Sequence, residues 1–276
     1  MIHGSCLCRK VQWTLDGAIE RITHCYCQMC RKSHGGAFGS YAIGQSSVFS
    51  FTQGEDAVLA RESSPGFIRA FCGTCGSVVP NNHLGDIVAM PAGGLDGELG
   101  VEPVAHIFAK WKAPWFEITD DLEQHDNYPG QDTPAVDRDL APASSDGLVR
   151  GSCLCGDVAY EVSGEFSSVH NCHCSRCRKA CAAAHATNGF TALKNLRFTR
   201  GREQIRTYHV ADAKFFSQAF CRRCGSAMPQ FLDSIDVAMV PFGSLDDDPS
   251  RNADDHIYVG SKSTWYPITD TLPQKE

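Results

Sequence analysis

The chain has 276 residues, a formal net charge of −7 and an ordinary hydrophobic content of 42%, which points to a globular protein of two domains. Its acidic balance, with no basic stripe, argues against nucleic acid as a partner. No apolar run approaches the roughly 18 residues that cross a bilayer, so no membrane partner is expected either. The first cysteine motif begins almost at once, leaving no room for a signal peptide, so a cytoplasmic location is expected, where thiols stay reduced.

Residues 4–32 read GSCLCRKVQWTLDGAIERITHCYCQMCRK. Cys6 and Cys8 form a C-x-C, and Cys25, Cys27 and Cys30 form a C-x-C-x-x-C. Between them Val11, Trp13 and Leu15 alternate with polar residues, the period of a half-buried strand. Residues 47–52 and 67–71 also read as strands, while Gly35, Gly36, Gly39 and Gly44 stop any long helix after the triplet. Residues 71–77, FCGTCGS, make a knuckle on Cys72 and Cys75, whose glycine permits a tight turn that aims backbone N–H groups at sulfur. An apolar strand at 86–90, a turn at 93–96 and a tail around His106, Trp115 and Ile118 complete a unit over 2–125.

Residues 126–148 are rich in Pro, Asp, Ser and Ala and read as an extended, exposed linker. A second unit follows over 149–274. Its residues 151–179, GSCLCGDVAYEVSGEFSSVHNCHCSRCRK, repeat the five cysteines at an offset of 147, as Cys153, Cys155, Cys172, Cys174 and Cys177. A second knuckle, FCRRCGS, carries Cys221 and Cys224, and later landmarks such as His106/His256 and Trp115/Trp265 recur at an offset of 150. The expected fold is mainly β: two tandem zinc-bound β domains, each long enough for a core of its own yet small enough to gain from metal.

Fourteen of the fifteen cysteines fall into ligand spacings rather than scattered pairs. Cys6, Cys8, Cys72 and Cys75 suit one closed tetrahedral zinc site, and Cys153, Cys155, Cys221 and Cys224 a second. The triplets Cys25, Cys27, Cys30 and Cys172, Cys174, Cys177 suit two further zinc ions, up to four per chain. Three ligands and a vacancy is the form of a catalytic site, and a soft three-thiolate set suits binding of another thiol. Alternatively a fourth protein ligand closes each triplet: His24, His34, His83 or His106 in the first unit, and His170, His173, Cys181 or His185 in the second. Cys181, where the first unit has His34, reads as a small buried apolar residue, a zinc cap or a nucleophile. Arg31, Lys32, Arg178 and Lys179 could pair with a substrate carboxylate or balance an anionic zinc site. His106 and His256 read as structural histidines, and Trp115 and Trp265 as core anchors.

The order G-S-C-x-C, C-x-C-x-x-C-R-K, F-C-x-x-C-G-S, G-S-L-D, H-I and W-x-x-I-T-D-x-L resembles the glutathione-dependent formaldehyde-activating enzyme family, to which centromere protein V is related. The resemblance covers nearly the whole chain twice. It implies a fold like that of a Rab guanine-nucleotide-release factor. It also implies a structural zinc on C-x-C plus C-x-x-C, and a catalytic zinc on Cys25, Cys27, Cys30 and on Cys172, Cys174, Cys177. The implied activity joins glutathione, or another small thiol, to formaldehyde, a small aldehyde, as a carbon–sulfur lyase run in reverse. The departures are the duplication itself, Arg9 against Gly156, Gly94 against Ser244, and Gly35-Gly36 against Ala182-Ala183. If those glycines let substrate approach the metal, the second unit is the weaker one. The rival reading is a non-catalytic zinc-stabilised binding module or glutathione carrier, for which duplication would supply bivalency.

Overall fold

A computed structural model describes residues 1–130, 145–213 and 216–276, without the side chains of Asn82 and His83; 131–144 of the predicted linker lies outside the described residues. The first repeat runs β1 (Ile2–Ser5), β2 (Gln12–Leu15), β3 (Arg21–Cys25), helix α1 (Gln28–His34), β4 (Gly39–Gln45), β5 (Phe49–Gln53), β6 (Val58–Ser64), β7 (Phe67–Cys72), β8 (Asn81–Leu84), β9 (Ile87–Pro91), β10 (Pro103–Ile107) and β11 (Glu123–His125). The second runs β12 (Leu148–Ser152), β13 (Ala159–Ser163), β14 (Ser168–Cys172), helix α2 (Ser175–Cys181), β15 (Ala186–Ala192), β16 (Leu196–Arg200), β17 (Ile205–His209), β18 (Ser217–Cys221), β19 (Gln230–Leu232), β20 (Val237–Pro241), β21 (Asp255–Ile257) and β22 (Gln274–Lys275). The protein is mainly β, and among the described residues no helix is long and apolar enough to cross a membrane.

Both repeats build the same three sheets. A six-stranded sheet orders β11-β10-β3-β4-β9-β8 in the first and β22-β21-β14-β15-β20-β19 in the second. A three-stranded sheet (β1-β2-β5, β12-β13-β16) and a hairpin (β6-β7, β17-β18) flank it. β10 and β21 pair parallel with β3 and β14, which brings the tail of each repeat beside its cysteine triplet.

Trp13 and Leu15 point inward from β2, as their alternation predicts, and are essentially fully buried. The core they enter is not private to one repeat. One continuous apolar cluster holds Trp13, Leu15 and Trp115 together with Tyr160, Phe242 and Trp265. The expectation of two self-sufficient cores is therefore corrected. A joint core of this size buries a greater share of apolar surface than two separate smaller cores would.

The halves meet about a pseudo-two-fold axis. Thr119 touches its own counterpart Thr269 at 2.5 Å, and contacts on either side are reciprocal. Lys32 Nζ donates to Ser152 O and Oγ and pairs with Asp246 at 2.7 Å. Lys179 Nζ donates to Ser5 Oγ and pairs with Asp96 at 2.8 Å. The knuckle glycines are part of the same exchange. Gly76 and Gly225 have φ of +78° and +74°, and a Cβ on either would lie within 2.5 Å of a ring atom of Phe220 or Phe71 from the other half. They serve the turn, as expected, and also the packing between halves.

Gly35 lies against Ala227 and Pro241, and Gly36 against the His185 backbone. The expectation that these glycines open a path for substrate is thus corrected: they allow the halves to approach. Gly94 against Ser244 is also a packing difference. The bulk of Trp13 fills the space beside Gly94, whereas the smaller Tyr160 donates to or accepts from Ser244 Oγ at 2.6 Å.

Candidate metal centres

All fifteen cysteines are free, and fourteen of them converge in four groups. In each group every sulfur lies within 4.8 Å of every other. Cys6–Cys8 and Cys8–Cys72 sulfurs are 3.5 and 3.7 Å apart, and Cys153–Cys155 and Cys155–Cys221 are 3.4 and 3.8 Å apart. A tetrahedral metal with bonds of about 2.3 Å holds its sulfurs about 3.8 Å apart, while a disulfide needs about 2 Å. These residues fit a divalent metal and not a bridge.

The two four-cysteine groups are built alike. Cys6 and Cys153 lie just after the first strand of each repeat, and the knuckle follows the hairpin. Val11 N–H and Val158 N–H donate to the Cys6 and Cys153 sulfurs at 3.3 and 3.2 Å. Ser77 Oγ accepts from Leu7 N–H and touches the Cys75 sulfur, and Ser226 does the same for Leu154 and Cys224. These serines link the two pairs of ligands, a role the motif F-C-x-x-C-G-S carries in its last letter. Arg9 and Gly156 both adopt left-handed backbone in the first ligand turn, with φ of +59° and +78°.

The triplets sit where β3 and β14 feed the short helices. Cys27 and Cys174 are the N-caps, their sulfurs accepting from Cys30 N–H and Cys177 N–H at 3.3 Å. Cys25 and Cys27 sulfurs are 3.6 Å apart, close to the tetrahedral spacing. The residue between the first two cysteines is pinned from the tail. Tyr26 hydroxyl meets His106 Nδ1 at 2.9 Å, and His106 Nε2 meets Asp120 at 2.7 Å. In the second repeat His173 Nε2 meets His256 Nδ1 at 2.8 Å, and His256 meets Asp270 at 2.9 Å. His106 and His256 are therefore occupied structurally.

Among the described residues no fourth His, Cys, Asp or Glu joins either triplet. His24 bonds Ser40, His34 bonds Tyr41 and the Cys181 carbonyl, and His170 bonds Asp255. His185 reaches Thr187 and Tyr266 only at 3.5 Å. The His83 side chain lies outside the described residues. Cys181 is buried, with Cys177 packed nearby, and its carbonyl rather than its sulfur makes the long-range contact. The fold gives the basic pairs further partners, and Arg178 still interacts with the charge of Cys174, as the charge-balance reading expects. Lys32 and Lys179 clamp the opposite half, and Arg31 and Arg178 donate Nε to the Tyr26 and His173 carbonyls at 3.3 Å.

The first triplet is lined by residues that the motif reading passed over. Arg69, on β7, brings both terminal nitrogens to 3.5 Å from the Cys30 sulfur. Tyr41 hydroxyl lies 3.8 Å from the same sulfur. Hydrogen bonds from Cys25 and Cys27, with help from the Arg69 charge, hold Cys30 well below the usual thiol range despite burial. Phe108, Ile107, Met29 and Trp111 pack around the three cysteines. Tyr128, placed by sequence in the linker, stands edge-on to Phe108 with ring centroids 5.0 Å apart.

The model of the family described as glutathione-dependent formaldehyde-activating enzyme matches residues 1–111 and 148–261. The chain belongs to this family. It is similar to a Halomonas elongata protein named "Putative glutathione-dependent formaldehyde-activating enzyme", at 28% identity over 127 residues, which cover 44% of this chain and 81% of the relative. Among solved structures, it is similar to a Rhodobacter sphaeroides protein at 28% identity, covering 34% of this chain and 85% of that one, with a TM-score of 0.29. Membership assigns glutathione-dependent formaldehyde activation at the level of the family, and the two matched segments each contain a complete set of the seven clustered cysteines that could hold metal.

Proposed function

We propose that the chain is a zinc-dependent enzyme of the carbon–sulfur lyase type that joins glutathione to formaldehyde. The observation that carries the proposal is the pair of triplets that no fourth described ligand closes, beside two groups that are complete. Zinc bound at a triplet would hold a substrate thiol as its thiolate. In the reaction the sulfur forms a bond to the aldehyde carbon, the carbonyl π bond opens, and the thiol proton ends on the new hydroxyl oxygen. The four-cysteine groups are the structural centres in this reading, because they tie the chain start to the hairpin and leave no position for substrate.

The chain's own residues supply the surroundings. Tyr26–His106–Asp120 orients the C-x-C backbone from behind. Phe108 and Trp111 make an apolar wall around the first triplet and keep water from it. Exchange between free glutathione and its formaldehyde adduct, followed by NMR with and without the metal-loaded chain, tests the proposal. Acceleration is expected; its absence at every protein ratio removes the catalytic assignment.

One observation favours a second reading, a glutathione carrier. Cys25, Cys27 and Cys30 are each at most 4% exposed, more suited to holding a ligand than to rapid turnover. The same spectra decide: glutathione lines that broaden with unchanged exchange support a carrier.

A further inference from the structure

We propose that Arg69 makes the first triplet, and not the second, the place where a substrate thiolate is taken up, acting as a positioning residue locked by hydrogen bonds that start on the second repeat. The inference rests on the thiol-binding reading above and adds which centre works and what decides it.

The chain of bonds has only one consistent direction. It begins at the Cys181 carbonyl, in the last turn of α2, where helix carbonyls lack intrahelical partners. A carbonyl only accepts, so His34 Nδ1, at 2.6 Å, carries the hydrogen. His34 is fully buried and neutral, so its Nε2 is an acceptor and Tyr41 O–H donates to it at 2.8 Å. The phenol oxygen then accepts from Arg69 Nη1 at 3.4 Å. Arg69 Nε is fixed by Ser63 Oγ at 3.1 Å, and its guanidinium lies 5.0 Å from the centre of the Phe67 ring. A guanidinium only donates, so both terminal nitrogens donate to the Cys30 sulfur. Cys72, three residues along the same strand, belongs to the structural group, which anchors β7 and with it Arg69.

Among the described residues, the second triplet has none of these contacts. At the matching positions stand Gln218 for Arg69, Asn188 for Tyr41 and Cys181 for His34. His34 and Cys181 are themselves equivalent, so the chain starts at the axis and runs only into the first repeat. Arg178 lies close enough to Cys174 to interact with its charge, yet it hydrogen-bonds the His173 and Ser261 carbonyls and Ser263 Oγ rather than a sulfur, unlike Arg69.

Charge explains the consequence. Three thiolates with a divalent cation carry −1, and a fourth thiolate makes −2. In a site whose cysteines are buried, as in the first triplet, that second charge is costly unless a cation lies against the sulfurs. Arg69 supplies it at the first centre. Gln218 does not at the second.

The test uses the full chain loaded with cobalt(II), titrated with glutathione and with 2-mercaptoethanol, a thiol that carries no carboxylate. Sulfur-to-cobalt charge-transfer absorption reports uptake. Wild type is expected to take up one equivalent of thiol, lost in Cys30→Ser and kept in Cys177→Ser. Arg69→Gln, the residue that the second repeat carries on the same strand, should weaken both thiols by at least about tenfold. Arg69→Lys should restore most of the affinity, and Tyr41→Phe should lose a smaller part. No uptake by wild type removes the thiol-binding reading and this inference together. Uptake unchanged in Arg69→Gln, or abolished in Cys177→Ser alone, overturns this inference and leaves that reading standing. A loss confined to glutathione also overturns it, since the guanidinium would then be reading a carboxylate.

Discussion

The two cysteine triplets share spacing, helix cap and backbone setting, yet they differ in nearly everything that surrounds the sulfurs. The first is wholly buried and lined by Arg69, Tyr41, Phe108 and Trp111; in the second, Cys174 and Cys177 are partly exposed, and Gln218, Asn188, Tyr258 and Ser261 hold those positions. By contrast, the two four-cysteine groups match down to the bridging serines. The four-cysteine groups, each tying the chain start of its repeat to the hairpin, share one geometry in both halves. The residues around the triplets diverge, and in the first repeat Arg69 and Tyr41 contact the Cys30 sulfur directly.

The sharpest way to break this contrast is to remove one structural group. Cys72→Ser and Cys221→Ser should each cost at least about 5 kcal/mol, a fraction of the roughly 10–16 kcal/mol of structural zinc binding, and to similar extents. Because the core is common, urea unfolding followed by tryptophan fluorescence and circular dichroism should remain one transition. Two transitions would show that the halves stand alone.

The reciprocal clamps sharpen the contrast next. Lys32 is 5% exposed against Asp246 at 33%, and Lys179 is 16% exposed against Asp96 at 52%. Replacement of Lys32 by Met should cost about 2 kcal/mol, and of Lys179 about 1 kcal/mol, with solvent screening reducing the second. Equal urea midpoints for the two variants would contradict the difference in burial.

Acid probes the axis itself. Burial holds His34 down at about pKa 4 and pushes His185 well below the ordinary imidazole value. Unfolded, both take up protons near pH 6.5. Below that pH the unfolded state binds more protons, so their stabilisation is complete above about 6.5 and is lost as pH falls toward the native values. The expected slope is up to about 1.4 kcal/mol per pH unit for each histidine. Urea midpoints for His34→Gln should fall less steeply between pH 7 and 5 than those of wild type; parallel curves would mean that His34 is not a neutral buried base.

The smallest effect lies at the first ligand turn. Arg9 and Gly156 share left-handed backbone, which an L side chain occupies at a cost of about 1 kcal/mol. Arg9→Gly should raise the thermal midpoint, and Gly156→Arg should lower it by a similar amount.

The legible part of the candidate site was its sulfur. C-x-C, C-x-x-C and the triplet each place their ligands within one turn of chain, so spacing alone assembles the pieces, and the repeat pairs them. Histidines near the triplets read as ligands because proximity in sequence resembles proximity in space; the hydrogen bonds of His24, His34 and His170 point elsewhere. Arg69 was invisible in the motifs because it lies 39 residues from Cys30 and meets it only where the β6–β7 hairpin packs beside the triplet. Only its mismatch with Gln218 at a matched position hinted at a role.

The grouping of the cysteines, the duplication and the β-rich character followed from the amino-acid order alone, since they depend on local spacing and on alternation of side chains along a strand. The partners of Lys32, Lys179 and Gly76, and the route from the Cys181 carbonyl to the Cys30 sulfur, arise only when the halves pack face to face. The residues that meet across the halves lie more than eighty positions apart in the chain, and no local pattern encodes which distant surface a side chain will meet once a common core has closed.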